Sequence, residues 1–169
     1  SKDASAHVRT SHAQAQAALP FADTQDFADA GRGFIATLPD ATLSHASGRT
    51  IWSMAPYAFQ KEEASPATVH PSLWRQSRLN LEHGLFEVVP GVYQVRGFDI
   101  ANMTLIEGAR GVIVVDTLTS TEGAQAALAL YRMHRGDRPV SAIIYTHTHT
   151  DHWGGSKGVA SLEDVQAGR

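Results

Sequence analysis

The chain has 169 residues, enough for one medium-sized domain with a real apolar core. Hydrophobic residues make up 43% and charged residues 18%, a globular balance that excludes a disordered chain. A net charge of −3 lacks the basic excess of a nucleic-acid binder, and the absence of cysteine excludes disulfides, thiolate metal ligands and cysteine nucleophiles.

Ser5 to Leu19 is rich in Ala and Gln, which predicts a helix that Pro20 ends. Phe21 to Pro39 mixes aromatic, acidic and Gly residues and reads as a short helix with loops. A short strand is expected at Thr50-Ile51-Trp52-Ser53-Met54, with Ala55 to Phe59 leading away from it. Gln60 to His70 is polar and reads as a loop; Pro71 to Asn80 then reads as a helix opening on proline. Trp52, Phe59 and Trp74 are expected as core aromatics. No apolar run reaches the roughly 20 residues that a membrane-spanning helix needs.

The character changes near Leu85, which divides the chain into a mixed helical and loop segment, 1–84, and a β-rich segment, 85–169. Val92 to Val95 and Met103 to Ile106 are short strand-forming runs, and Val112-Ile113-Val114-Val115 is continuously apolar. Continuous apolarity predicts a strand covered on both faces. Thr119 and Glu122 have the spacing of a capping box, after which Ala124, Leu128 and Tyr131 fall on one helical face. Gly136 and Pro139 stop that helix, and Val140 to Tyr145 is another apolar strand. Strands alternating with a helix make an α/β (α+β) unit, and such sheets place their chemistry at the carboxyl ends of the strands.

At that end stands His147-Thr148-His149-Thr150-Asp151-His152. Zinc takes imidazole nitrogen and carboxylate oxygen, usually from four donors. His147 and His149 are two apart and share a side of an extended strand end. Asp151 and His152 follow, where Gly154 and Gly155 allow a tight turn. Four donors are too many for one ion that must keep a water position, so two neighbouring ions fit better. Zinc lowers the pKa of its water to roughly 7, which makes hydrolysis the expected chemistry. Trp153 is placed to wall the site, and Asp116, closing the apolar strand, is placed either to orient a ligand imidazole or simply to form the turn. The isolated His7, His12, His45, His70, His83 and His134 are expected in surface or capping roles.

His147-X-His149-X-Asp151-His152 with the preceding Val114-Val115-Asp116 resembles the metallo-β-lactamase superfamily. That resemblance implies an αββα sandwich, of which this chain carries the amino-terminal part, and a two-zinc hydrolytic site along one edge. Pro20 to Asp23, Ile51-Trp52, Pro71 to Gln76, Gly91 to Gly97 and Asn102-Met103-Thr104 are similar to the alkylsulfatases that hydrolyse dodecyl sulfate and related esters. By that resemblance His147 and His149 hold one zinc, Asp151 and His152 hold the other, and Asp151 serves the catalytic centre as a ligand. The substrate implied is an alkyl sulfate, attacked by a metal-bound hydroxide. The remaining ligands, a dimerisation region and a carboxyl-terminal lipid-binding-like domain are implied to lie outside these residues. The chain is therefore expected to need the rest of its own polypeptide, and to be neither stable nor active alone. A homodimer is expected, in a periplasmic or secreted location, with the cytoplasm as the alternative. Two other readings stay open: a lactonase or lactamase of the same superfamily, and a zinc-binding module without catalysis.

Overall fold

A computed structural model describes residues 2–38, 42–62 and 64–168. The chain forms two compact units, Ser1–Gly31 with Pro56–Glu82 and Arg32–Ala55 with His83–Arg169.

The first unit is helical. Helix α1, Ala6–Ala18, starts where the Ser5 hydroxyl accepts from the Val8 amide, and it stops before Pro20, as its composition predicts. Helix α2 spans Gln25–Gly31, with the Asp23 carboxylate accepting from the Gln25 amide at 2.9 Å. A 3-10 helix covers Ala55–Lys61, so the expected loop begins one residue beyond it. Helix α3, Pro71–Leu79, has proline in its first turn and the His70 ring as its amino-terminal cap. Arg75 on α3 grips Asp26 of α2 through two nitrogens at 3.2 and 2.6 Å, donates to the Phe21 and Asp23 carbonyls, and lies over the Phe27 ring. Trp74 is buried, as expected of a core aromatic, but Phe59 is 57% exposed, because it rests on Trp74 at the rim of this small unit.

The second unit is a mixed sheet with helices. Its strands are β1 (Phe34–Ala36), β2 (Thr42–Ser44), β3 (Thr50–Ser53), β4 (Gly84–Val89), β5 (Val92–Arg96), β6 (Met103–Glu107), β7 (Val112–Val115) and β8 (Val140–Ile144). Six of them form one sheet in the order β1-β4-β5-β6-β7-β8, while β2 and β3 pair separately. Every neighbour in the large sheet is antiparallel except β7 and β8. Those two run parallel because helix α4, Thr121–Arg135, carries the chain back between them.

Helix α4 buries Ala124, Ala127, Leu128, Leu130 and Tyr131 in a core shared with Leu85, Tyr93, Val95, Met103, Leu105, Val112 and Val114. Its amino-terminal cap is Ser120, whose hydroxyl accepts from the Gly123 amide at 3.0 Å, and not Thr119. The register moves by one residue because Thr119 is taken by Asp99, which accepts from its amide at 2.7 Å and its hydroxyl at 3.0 Å. Gly136 ends the helix at φ 90°, a conformation that costs glycine little.

The expectation that β7 is covered on both faces is corrected. Val112 and Val114 are fully buried, whereas Ile113 and Val115 keep intermediate exposure. Helix α4 and the β2–β3 pair belong to one side of the core, and β8 leaves Ser141, Ala142 and Ile144 exposed.

At the end of β6, Glu107 ties the sheet to α4. It accepts from the Tyr131 hydroxyl at 3.0 Å and Arg135 at 3.2 Å, with Arg138 at 3.6 Å. The Arg135 bond leads in holding its carboxyl below the ordinary range, against the pull of burial, while burial pushes the Tyr131 phenol up to about 12. A lowered folded-state pKa contributes stability that is whole above the unfolded value and fades as pH falls through the lowered one. Glu107→Gln in the intact protein is expected to weaken hydrogen-exchange protection of β6 and α4 by about 1–3 kcal/mol near neutrality. The difference from wild type should shrink as the medium is acidified below the ordinary glutamate range; a pH-independent difference would contradict the charged pairing.

Candidate metal centre

Strands β7 and β8 are parallel neighbours with Val115 opposite Ile144, so their carboxyl ends open at the same edge of the sheet. The Asp116 amide extends the ladder by donating to the Ile144 carbonyl at 2.9 Å. Asp116 and Leu118 then adopt φ values of 59° and 62°, left-handed conformations that side-chain-bearing residues seldom take. This corner is clamped to the histidine loop by two bonds of 2.8 Å, from the Thr117 amide to the His152 carbonyl and from the Gly155 amide to the Leu118 carbonyl.

Gly154 and Gly155 serve this clamp in a different way from the one expected. Both sit at negative φ, so backbone freedom is not what they supply. A Cβ on Gly155 would lie 2.0 Å from the Thr117 carbonyl oxygen, and one on Gly154 would lie 2.3 Å from that of Thr119. Glycine is required here so that two backbones can touch.

Strand β8 stops at Ile144, one residue before the expected end, and residues 146–149 form bends. His147 and His149 are therefore not brought together by strand alternation. The bent loop does it, with His149 standing at the start of helix α5, Thr150–Trp153, and spending no side-chain bond on capping. The His147 ring centroid lies 4.7 Å from that of His149 and 3.9 Å from that of His152.

Buried Asp116 orders these rings. One carboxylate oxygen accepts from the Thr146 amide at 2.8 Å; the other accepts from the Thr146 hydroxyl at 2.8 Å and meets His152 Nδ1 at 2.7 Å. Burial pulls the Asp116 pKa upward, but the Thr146 amide, His152 and the Thr146 hydroxyl together outweigh it and leave the carboxylate below its ordinary range. The Asp116 bond likewise raises the pKa of His152. A carboxylate can only accept, so Nδ1 of His152 carries a proton and, in the neutral ring, Nε2 keeps its lone pair.

Thr146 was not singled out by the sequence, and it does the same for His147. Its one hydrogen goes to Asp116, so its oxygen accepts from His147 Nδ1 at 3.0 Å, leaving Nε2 of that ring as an acceptor. That Nε2 faces His149 Nδ1 at 3.1 Å, and His152 Nε2 faces an Asp151 oxygen at 3.2 Å. Two ligands held at about 2.0–2.1 Å by one tetrahedral ion stand roughly 3.3 Å apart, so each pair has the separation of two donors on a shared ion. Among the described residues no group of three or more His, Cys, Asp or Glu side chains is assembled to hold a metal ion. The donors fit metal binding as two pairs, and neither pair is a complete site.

Beside the pairs lies an open pocket of about 330 Å³ lined by Tyr145, His147, Thr148, Trp153 and Ser156. The polar groups of Trp153, Tyr145 and Ser156 are engaged by their own neighbours. Trp153 donates to the Thr148 carbonyl at 3.0 Å, and the Tyr145 hydroxyl meets that of Ser156 at 2.8 Å.

Residues 96–169 match the metallo-beta-lactamase superfamily. The chain is 50% identical over 150 residues to an alkyl/aryl-sulfatase of Saccharomyces cerevisiae, covering 89% of this chain and 23% of that protein. It is 47% identical over 169 residues to an (R)-specific secondary-alkylsulfatase of Pseudomonas sp., covering 100% of this chain and 25% of the relative. Residues 96–169 thus resemble the metallo-β-lactamase superfamily, and the chain as a whole is similar to the alkylsulfatases.

The solved structure of the stereoselective inverting sec-alkylsulfatase of Pseudomonas sp. shares the fold, with a TM-score of 0.91 at 48% identity over 99% of this chain and 26% of that one. The chain thus spans about a quarter of the length of the relatives it matches. The superfamily implies metal ions.

The hydroxyl bridge through Thr146 can be tested without any metal. Thr146→Val in the intact protein removes the acceptor of His147 Nδ1, so nitrogen–proton correlation spectra of the metal-free form should show His147 moving from the Nδ1–H tautomer toward the mixture of a free imidazole. His152, still bonded to Asp116, should keep its own tautomer. An unchanged His147 spectrum would sink the assignment.

Proposed function

We propose that these residues are the metal-holding front part of a zinc-dependent hydrolase of alkyl sulfate esters, which uses a dinuclear site to split the ester into alcohol and sulfate. The observation that carries this reading is the pairing of donors at 3.1 and 3.2 Å on a framework ordered by Asp116. His147 and His149 would hold one ion, and Asp151 and His152 the other, with the remaining ligands supplied from elsewhere in a longer, dimeric polypeptide. Bound zinc would supply a water of pKa near 7 and positive charge against the sulfate.

The chain's own residues do the rest. Asp116 and Thr146 keep the protons of His152 and His147 on Nδ1, so both Nε2 lone pairs face the donor pairs. Asp151 brings a negative charge that offsets part of the charge of two divalent ions. The ring surfaces of Tyr145 and Trp153, with their polar atoms already satisfied, suit an alkyl chain beside His147. The alkylsulfatase names of relatives at about half identity favour sulfate esters over lactones and lactams.

The test is inorganic sulfate release from an alkyl sulfate by the intact, metal-loaded protein, run beside lactone and lactam opening. His147→Ala with His149→Ala should lower bound metal and reduce sulfate release by at least about a thousandfold, the scale on which loss of metal-borne charge stabilisation acts. Sulfate release that survives the double replacement, or faster opening of lactones than of sulfate esters, would refute the assignment.

A further inference from the structure

Thr148 lies between the first two histidines of the motif and belongs neither to β8 nor to α5, so its carbonyl has no partner from a ladder or a helix. The indole Nε1–H of Trp153 donates to that carbonyl at 3.0 Å across five residues. On the other side of His147, the amide and hydroxyl of Thr146 are held by Asp116. His147 is thus suspended between two fixed points, one on each neighbour, and His149 follows directly after the second.

From this geometry we infer that Trp153 is a positioning residue for the His147–His149 pair, acting through its indole hydrogen bond to the Thr148 carbonyl. The inference rests on the reading of that pair as ligands of one ion. The carbonyl between the two histidines is turned toward Trp153. The indole gives that turned carbonyl a donor, which offsets the loss of its other bonding options. The rest of the loop does not supply this constraint. Asp116 reaches Thr146 and His152 but not Thr148, and His149 makes no capping bond of its own. Trp153 is 46% exposed and lines the pocket with His147, so it is not simply a core-filling side chain.

Two replacements in the intact protein isolate the hydrogen bond from the ring. Trp153→Phe keeps an apolar ring and removes the donor. Incorporation of β-(3-benzothienyl)alanine at position 153 keeps the shape of indole and also removes it. Both are expected to fold as wild type does and to lose zinc to a competing chelator at about tenfold lower chelator concentration, the usual scale for a group that supports a ligand from behind. They should lower kcat on an alkyl sulfate more than they raise KM. In metal-free protein, selectively labelled Trp153 should show an indole proton protected from solvent exchange.

Zinc affinity and kcat equal to wild type in the benzothienyl form would overturn the inference. An indole proton that exchanges at the rate of a free tryptophan would overturn it as well. A wild-type protein that binds no zinc but protects this proton would sink the proposed function and leave the latch itself standing.

Discussion

Asp116 carries more of the architecture of this site than any of the candidate donors does. Its carboxylate leaves water at the end of β7, which by itself raises its pKa, and three donors from the neighbouring loop bring it back down. Each of those bonds fixes a different atom: the Thr146 amide sets where β8 ends, the Thr146 hydroxyl fixes the His147 ring, and His152 Nδ1 fixes the His152 ring. One buried charge thereby specifies the protonation pattern of two imidazoles. Loss of a donor would leave a carboxylate out of water with an unsatisfied acceptor, so the loop and the strand end hold each other in place.

The backbone bears a cost for this. Asp116 and Leu118 both occupy the left-handed region, at roughly 1–3 kcal/mol for a residue other than glycine. The corner they form is fully packed, with Thr117 and Leu118 at zero exposure, and it is bonded to His152 and Gly155. Strain is concentrated where the strand end supports the histidine loop. The ordinary elements around it, α4 and the antiparallel strands, show no such outliers among the described residues.

Much of the fold was legible because its elements are local. Helix α1 stops ahead of Pro20, α3 opens on Pro71, Gly136 ends α4, and β5 and β6 follow the short β-branched runs that mark them. Where the structure departs from the local pattern, a distant partner is responsible. Asp99 takes Thr119 and moves the α4 cap to Ser120. β1 and β2 are three residues long and exist only through pairing with β4 and β3. β7 looks buried on both faces by composition, yet only α4 and its companions on one side are here to cover it.

The site divides in the same manner. Three histidines and an aspartate within six residues are a chemical statement that needs no fold, since few surroundings other than a metal call for so many donors of that kind together. The amino-acid order also placed Asp116 at a strand end, but it left open whether that carboxylate was a turn residue or a partner of the loop. Only the parallel pairing of β7 with β8 decided this, because it puts residues 116, 146 and 152 within bonding distance. Thr146 stayed invisible for the same reason. A hydroxyl acquires its role from what lies on either side of it, and here those neighbours come from two different strand ends. The candidate donors were written in the sequence, whereas their orientation is a property of the tertiary structure.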